Sequence, residues 1–309
     1  MTGTNHLQTD TPKPSLSHRL EYAAFYTIRW IFNRLTVSHA ASLSAFFWRW
    51  IAPHLRRHRR AIANLKIALP NLSETERRRL LIRMWDNLGR TSAEALRLGE
   101  IADDPDSLSL DFSADALEIM HSSQVAIFVS LHYGNWEVTA IAAERFNKPL
   151  LGIYKKIENP LVDAEVHEMR SRFYIGGLLS RGTETMKKVS RAIKDGHSIA
   201  IMADLRDSHG EYVPFFGIPS SATQFPALLS RLHDLPIIAI KAVRIEPGKF
   251  KISAEKLNLI QSGNRQADIS ENTARIQQQL EKWIRQDPTL WMWGHRRWNE
   301  ESFKLAKPI

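Results

Sequence analysis

At 309 residues the chain is long enough for one large α/β domain with appendages, and 42 Lys+Arg against 33 Asp+Glu leave a formal charge of +9. That excess attracts something anionic, whether phospholipid, nucleic acid or an acidic protein. With no cysteine in the chain, disulfides, thiolate nucleophiles and Cys-containing zinc sites are all excluded.

Residues 1–16 are polar, carry Pro12 and Pro14, and read as a flexible tail. Residues 17–60 read as membrane-associated helices. The stretch "LEYAAFYTIRWIFNRLTVSHAASLSAFFWRW", Leu20 to Trp50, has helical apolar spacing, many aromatics and isolated arginines, the composition of helices lying in a membrane interface. Its charge-free part, Leu35 to Trp48, is shorter than the ~18 residues a span needs, so a single pass would require Arg29 or Arg34 to snorkel. "HLRRHRR", His54 to Arg60, then offers four arginines and two histidines to anionic headgroups.

Residues 61–309 read as one α/β domain. Ser73, followed three residues later by Glu76, predicts a capping box at the start of a helix with an apolar stripe. Four apolar runs then predict strands: "VAIFVSL" from Val125, "LLGIY" from Leu150, "SIAIMAD" from Ser198 and "IIAIKAV" from Ile237. Helical patterns at Asp163–Tyr174, Glu184–Asp195 and Gln224–His233 separate them, which implies a mostly parallel (mixed) central sheet flanked by helices.

The first of these strands runs into "SLHYGNWE", and polar residues at such a strand end are where sites form in open α/β sheets. On one helix His132 and Glu137 would lie about 140° apart, so the pair requires His132 in the turn and Glu137 in the first helical turn, with Gly134 reversing the chain. There the carboxylate would accept a proton from one imidazole nitrogen, leaving the other as a base toward a hydroxyl. The structural alternative is a capping histidine and a surface glutamate. Arg170 and Arg172 in "MRSRF" and Asp204 in "ADLRD" are further candidates, and "VPFFG" with Phe215 and Phe216 is an apolar loop suited to line an aliphatic pocket. "LWMWGHRRW" reads either as aromatic packing or as lipid contact.

From Leu20 to Trp298 the sequence resembles the late acyltransferases of lipid A biosynthesis, the lauroyl and myristoyl transferases of Gram-negative bacteria. The matching pieces are "NLKIALPNLSETERRRL", "NLGRTSAEALRL", "HYGNWE", "GIYKKIENPLVD", "RSR", "VPFFGIPSSATQFPALLSRL" and "WMWGHRRW". The resemblance implies transfer of a fatty acyl chain from acyl carrier protein to a hydroxyl on an acyl chain of a lipid A precursor, at the cytoplasmic face of the inner membrane and without a cofactor. It implies that His132 and Glu137 form the catalytic dyad. Arg170 would serve the donor carbonyl or an acidic group, and Asp204 would be the acid that follows a later strand.

Other readings predict other outcomes. A glycerolipid, glycolipid or ornithine lipid acyltransferase would keep the dyad and change the acceptor, and a non-catalytic membrane scaffold would tolerate loss of His132. A metal hydrolase lacks a third ligand at recognisable spacing, and no nucleic-acid-binding module accompanies the charge.

Overall fold

The computed structural model describes residues 14–182 and 184–305, so the tail expected over residues 1–16 lies largely outside the described residues. The chain begins with α1 (Leu16–Phe32), α2 (Val37–Ile51), α3 (Arg56–Ala68), α4 (Glu74–Ala95) and α5 (Leu98–Asp103). Next come β1 (Leu108–Phe112), α6 (Ala114–His121), β2 (Ile127–Ser130), α7 (Thr139–Arg145), β3 (Leu150–Tyr154), α8 (Pro160–Ser171) and β4 (Leu178–Ser180). They are followed by α9 (Thr185–Lys194), β5 (Ser198–Met202), β6 (Arg206–Phe215), β7 (Ile218–Ala222) and α10 (Phe225–His233). The chain closes with β8 (Ile237–Glu246), β9 (Lys249–Lys256), α11 (Arg265–Gln286) and α12 (Glu300–Leu305). Ser73 and Glu76 form the predicted capping box at the start of α4.

Seven strands form one sheet in the order β1-β9-β8-β2-β5-β3-β4. All its pairings are parallel except β8 with β9, a hairpin turned at Gly248, so the sheet is mixed. Alternation along each central strand fills two layers. Ile127, Val129, Ile199, Ile201, Ile237 and Ala239 face one core with α4, α9, α10 and α11. Phe128, Ala200, Ile238 and Ile240 face the other, with α6 and α7. This double burial is why those strands read as unbroken apolar runs.

β6 and β7 form a separate antiparallel ribbon. Its two-residue turn is Phe216-Gly217, both at positive φ (54° and 75°), the backbone that hairpin turns require. The "VPFFG" loop is therefore a hairpin tip, and its rings are buried in the core.

α1 and α2 lean on the α/β unit. α2 buries Ala40, Ala41, Ser44 and Ala45 against α4, so closely that a Cβ added to Gly89 would lie 2.5 Å from the Cα of Ala45. α1 is tied to α8 by Tyr22, which donates to Glu165 at 2.8 Å, and by an Arg29–Glu165 ion pair. Their outer faces are apolar: Leu16, Leu20 and Trp30 on α1, with Phe46, Phe47 and Trp50 on α2, are all exposed. Among the described residues no helix is long and apolar enough to cross a membrane, so the single-pass alternative finds no helix to carry it.

Candidate active site

The turn after β2 is fixed from four sides. Gly134 sits at φ +58° against β8, where a Cβ would lie 2.0 Å from the carbonyl oxygen of Ala242, so no other residue fits. Its N–H donates to the Leu290 carbonyl at 3.0 Å, and the N–H of Met292 donates to the His132 carbonyl at 3.0 Å. The Gly134 carbonyl accepts from Asn87 and Thr91 of α4, each at 2.9 Å. Asn135 donates to Glu94 at 2.8 Å, and Glu94, wholly buried, is held by a bidentate Arg244. A charge buried under the turn is tolerable only because it is so completely paired.

Strand register brings His132 its partner. β2 and β5 are parallel neighbours with Ser130 opposite Met202, so His132 and Asp204, each two residues further on, meet past the strand ends. Asp204, fully buried, accepts from the backbone N–H and Nδ1 of His132, both at 2.9 Å, and from Trp291 Nε1 at 2.9 Å. Burial favours its neutral form, but the His132 charge and these hydrogen bonds outweigh that and hold its pKa well below the usual carboxylate range. With the Nδ1 proton donated in a hydrogen bond to Asp204, the lone pair of neutral His132 stands on Nε2. Burial lowers the His132 pKa, yet the charge and hydrogen bond of Asp204, with the charge of Glu137 behind them, leave it above its ordinary value.

Glu137 follows in a short 3₁₀ turn, Trp136–Val138. The expected hydrogen bond from the imidazole to Glu137 is absent among the described residues. Asp204 takes that place, and both oxygens of Glu137 are held side-on by Nε and Nη2 of Arg170, with Nε at 2.9 Å. Trp136 Nε1 donates to Glu137 at 3.0 Å. Burial raises the Glu137 pKa, but Arg170 and Trp136 more than offset it, so Glu137 is ionised and Arg170 correspondingly harder to deprotonate.

His132, Glu137 and Arg170 line one cavity of about 780 Å³. Its floor is apolar and buried, formed by Met120, Phe128, Ala143, Leu150 and Ile240, while the exposed Lys155, Lys156 and Arg181 lie on its rim. Tyr174 also lines it, its hydroxyl pushed up to about 12 by burial and by the Glu137 charge.

The remaining candidates fall elsewhere. Asp204 does not face the cavity, because its two oxygens are taken up by His132 and Trp291. Arg172 binds Glu144 and Asp103 on the surface, since it stands two residues past the inward-facing Arg170, on the opposite side at the C-terminal end of α8. Phe215 and Phe216 pack with Trp291, Trp293 and Trp298, all buried, so these rings and the closing tryptophans belong to the core and do not line the cavity beside His132. Sequence reasoning gave no role to Glu94, Arg244 or Asn87. The signal was an acid inside the apolar stripe of α4, which a helix buries only around a polar network.

Over 263 residues the chain is 26% identical to the lipid A biosynthesis acyltransferase of Haemophilus influenzae, covering 80% of each chain. It is 24% identical over 255 residues to the lipid A biosynthesis lauroyltransferase of Escherichia coli K12, covering 78% of this chain and 79% of that one. The crystal structure of the 1-acyl-sn-glycerophosphate acyltransferase of Thermotoga maritima superposes with a TM-score of 0.37 at 10% identity, over 82% of this chain and 99% of that one, too loosely to bear on fold or chemistry. The profile of the bacterial lipid A biosynthesis acyltransferases runs over residues 12–300, and the chain belongs to that acyltransferase family.

Proposed function

We propose that the protein transfers a fatty acyl chain from acyl carrier protein to a hydroxyl on an acyl chain of a lipid A precursor, with His132 as general base. The observation that carries this is an imidazole pinned through Nδ1 by a buried carboxylate at the edge of an apolar-floored cavity. His132 Nε2 takes the proton of the acceptor hydroxyl as its oxygen attacks the thioester carbonyl. The tetrahedral oxyanion collapses, the C–S bond breaks, and the imidazolium returns the proton to the departing thiolate. Asp204 fixes the tautomer and steadies the transient imidazolium.

Arg170 meets the developing oxyanion. Its Nε and Nη2 are spent on Glu137, but Nη1 has no hydrogen-bond partner among the described residues, and the group stays cationic at any working pH. Glu137 thus acts by aiming Arg170 and by favouring the imidazolium through its charge. The donor chain occupies the cavity, each buried methylene adding about 0.8 kcal/mol. Lys155 and Lys156 on the rim suit the acidic carrier protein. The outward apolar faces of α1 and α2, followed by the arginines of α3, suit an anionic bilayer surface at the cytoplasmic face of the inner membrane.

The test is mass spectrometry of lipid A from a deletion strain carrying either the unsubstituted gene or its His132→Ala form. Loss of one acyl chain from lipid A in the deletion strain, restored by the unsubstituted gene alone, is the expected result. Unchanged lipid A with altered phospholipids would move the acceptor to another membrane lipid.

A further inference from the structure

The basic run at the start of α3 does not simply face solvent. Arg60 Nη1 donates to the carbonyl of Gly294 at 3.1 Å. Arg57 packs on the same glycine, where an added Cβ would lie 3.4 Å from the Arg57 Cβ. Asn64, one turn later, donates to the carbonyls of Trp293 and His295, both at 2.7 Å, and so clamps the C-terminal segment onto α3. Arg296 is thereby brought to the same place, close enough that burial and then the charges of Arg296 and Arg57 depress the basicity of Arg60. Among the described residues none of the three guanidinium groups has a carboxylate within 4.0 Å. Gathering like charges without an acid is unfavourable in the free protein, and an anionic ligand relieves it.

This cluster adjoins the reacting imidazole from a side the cavity does not use. The ring of His295 lies 4.8 Å, centroid to centroid, from that of His132, and its Nε2 is buried with no hydrogen-bond partner among the described residues. Burial first, then His132 and the arginines against the opposing pull of Asp204, press the pKa of His295 down to about 4, so it is neutral and presents no competing cation. Neither His295 nor any of the three arginines lines the acyl cavity, whose rim has its own cations in Lys155, Lys156 and Arg181. Two cationic groups therefore flank one imidazole, and the transfer has two substrates. The cluster also follows directly on Trp50 and Ile51, exposed at the end of α2, which sets it at headgroup depth if that face rests in the bilayer.

We propose that Arg57, Arg60 and Arg296 bind a phosphate ester of the acyl acceptor, bringing its hydroxyl to His132 from the His295 side while the donor chain fills the cavity. Guanidinium forks suit a phosphate dianion, which each can meet bidentately. The proposal rests on a lipid A precursor being the acceptor.

The test measures KM for each substrate in mixed micelles, using acyl carrier protein thioester with a phosphorylated acceptor and with the same acceptor dephosphorylated. The variants are Arg57→Gln and Arg296→Gln, both at exposed positions, and Arg60→Gln, with the thermal midpoint of each followed in parallel. Each substitution is expected to raise KM for the phosphorylated acceptor roughly tenfold, equivalent to about 1.4 kcal/mol. KM for the donor, and KM for the dephosphorylated acceptor, should stay unchanged. An unchanged acceptor KM, an equal rise with the dephosphorylated acceptor, or a rise in donor KM instead would overturn the arginine site while leaving the proposed reaction standing. No turnover of either acceptor by the unsubstituted enzyme would overturn the proposed reaction and this site with it.

Discussion

The two layers beside the sheet handle apolar volume in opposite ways. Between the sheet and α6 and α7, Phe128, Leu150 and Ile240 of the strands and Met120 and Ala143 of the helices leave a cavity running inward from His132. On the other face Phe215, Phe216, Trp291, Trp293 and Trp298 are buried in one core, with Arg297 4.2 Å from the centre of the Phe215 ring and Arg285 4.4 Å from that of Phe216. The hollow layer provides room for a chain and the filled layer provides rigidity. They join at Asp204, to which the filled side contributes Trp291 Nε1 and the hollow side His132.

The largest expected effect tests that junction. Asp204→Asn keeps the shape but offers Nδ1 of His132 no anion, so the wrong tautomer and an unsupported imidazolium follow. By analogy with the aspartate of a Ser-His-Asp triad, kcat should fall by about 10³- to 10⁴-fold. Steady-state kinetics with the thermal midpoint monitored in parallel decide it, and a loss below tenfold in a folded variant would return the orienting role to Glu137.

The two layers separate next. Phe215→Ala should cost about 3–5 kcal/mol of unfolding free energy, read by denaturant titration, and leave chain-length preference alone. Ala143→Leu should do the reverse. By filling the cavity floor it should exclude roughly two to three methylenes, shifting the preferred donor to a shorter chain, with little change in stability. If Phe215→Ala shifted the preferred length and Ala143→Leu did not, the acyl site would belong to the aromatic layer after all.

That aromatic layer shows where sequence alone stops. An apolar loop such as "VPFFG" reads identically whether its rings line a pocket or close a core. What decides is the hairpin turn at Phe216-Gly217, which folds them inward. The central strands were legible because burial on both faces removes alternation from "VAIFVSL" and "SIAIMAD". β6 escaped notice because its first half is polar, and β9 because lysines interrupt it, although Phe250, Ile252 and Ala254 recur at every second position after a Pro-Gly turn. His132 and Arg170 were legible from their motifs. The His132–Asp204 hydrogen bond was not, because it depends on β2 and β5 being neighbours despite the elements between them in sequence.

The smallest expected effect concerns pH. With His132 as the proposed neutral base and its pKa above the ordinary 6.5, kcat/KM should fall as pH drops, with its half-maximal point on the alkaline side of 6.5. Glu137→Gln removes one of the charges that raise this pKa and frees the Arg170 cation, which lowers it, so both changes move the acid limb toward lower pH. A limb that stays in place in Glu137→Gln would mean that Glu137 serves Arg170 alone. Stability has the opposite slope. A histidine whose folded pKa is raised contributes stability that is fully present below 6.5 and is lost as pH rises through the folded value. Across that window the enzyme should gain activity while this contribution to its stability fades, because the proton that strengthens the His132–Asp204 contact is the one catalysis needs removed.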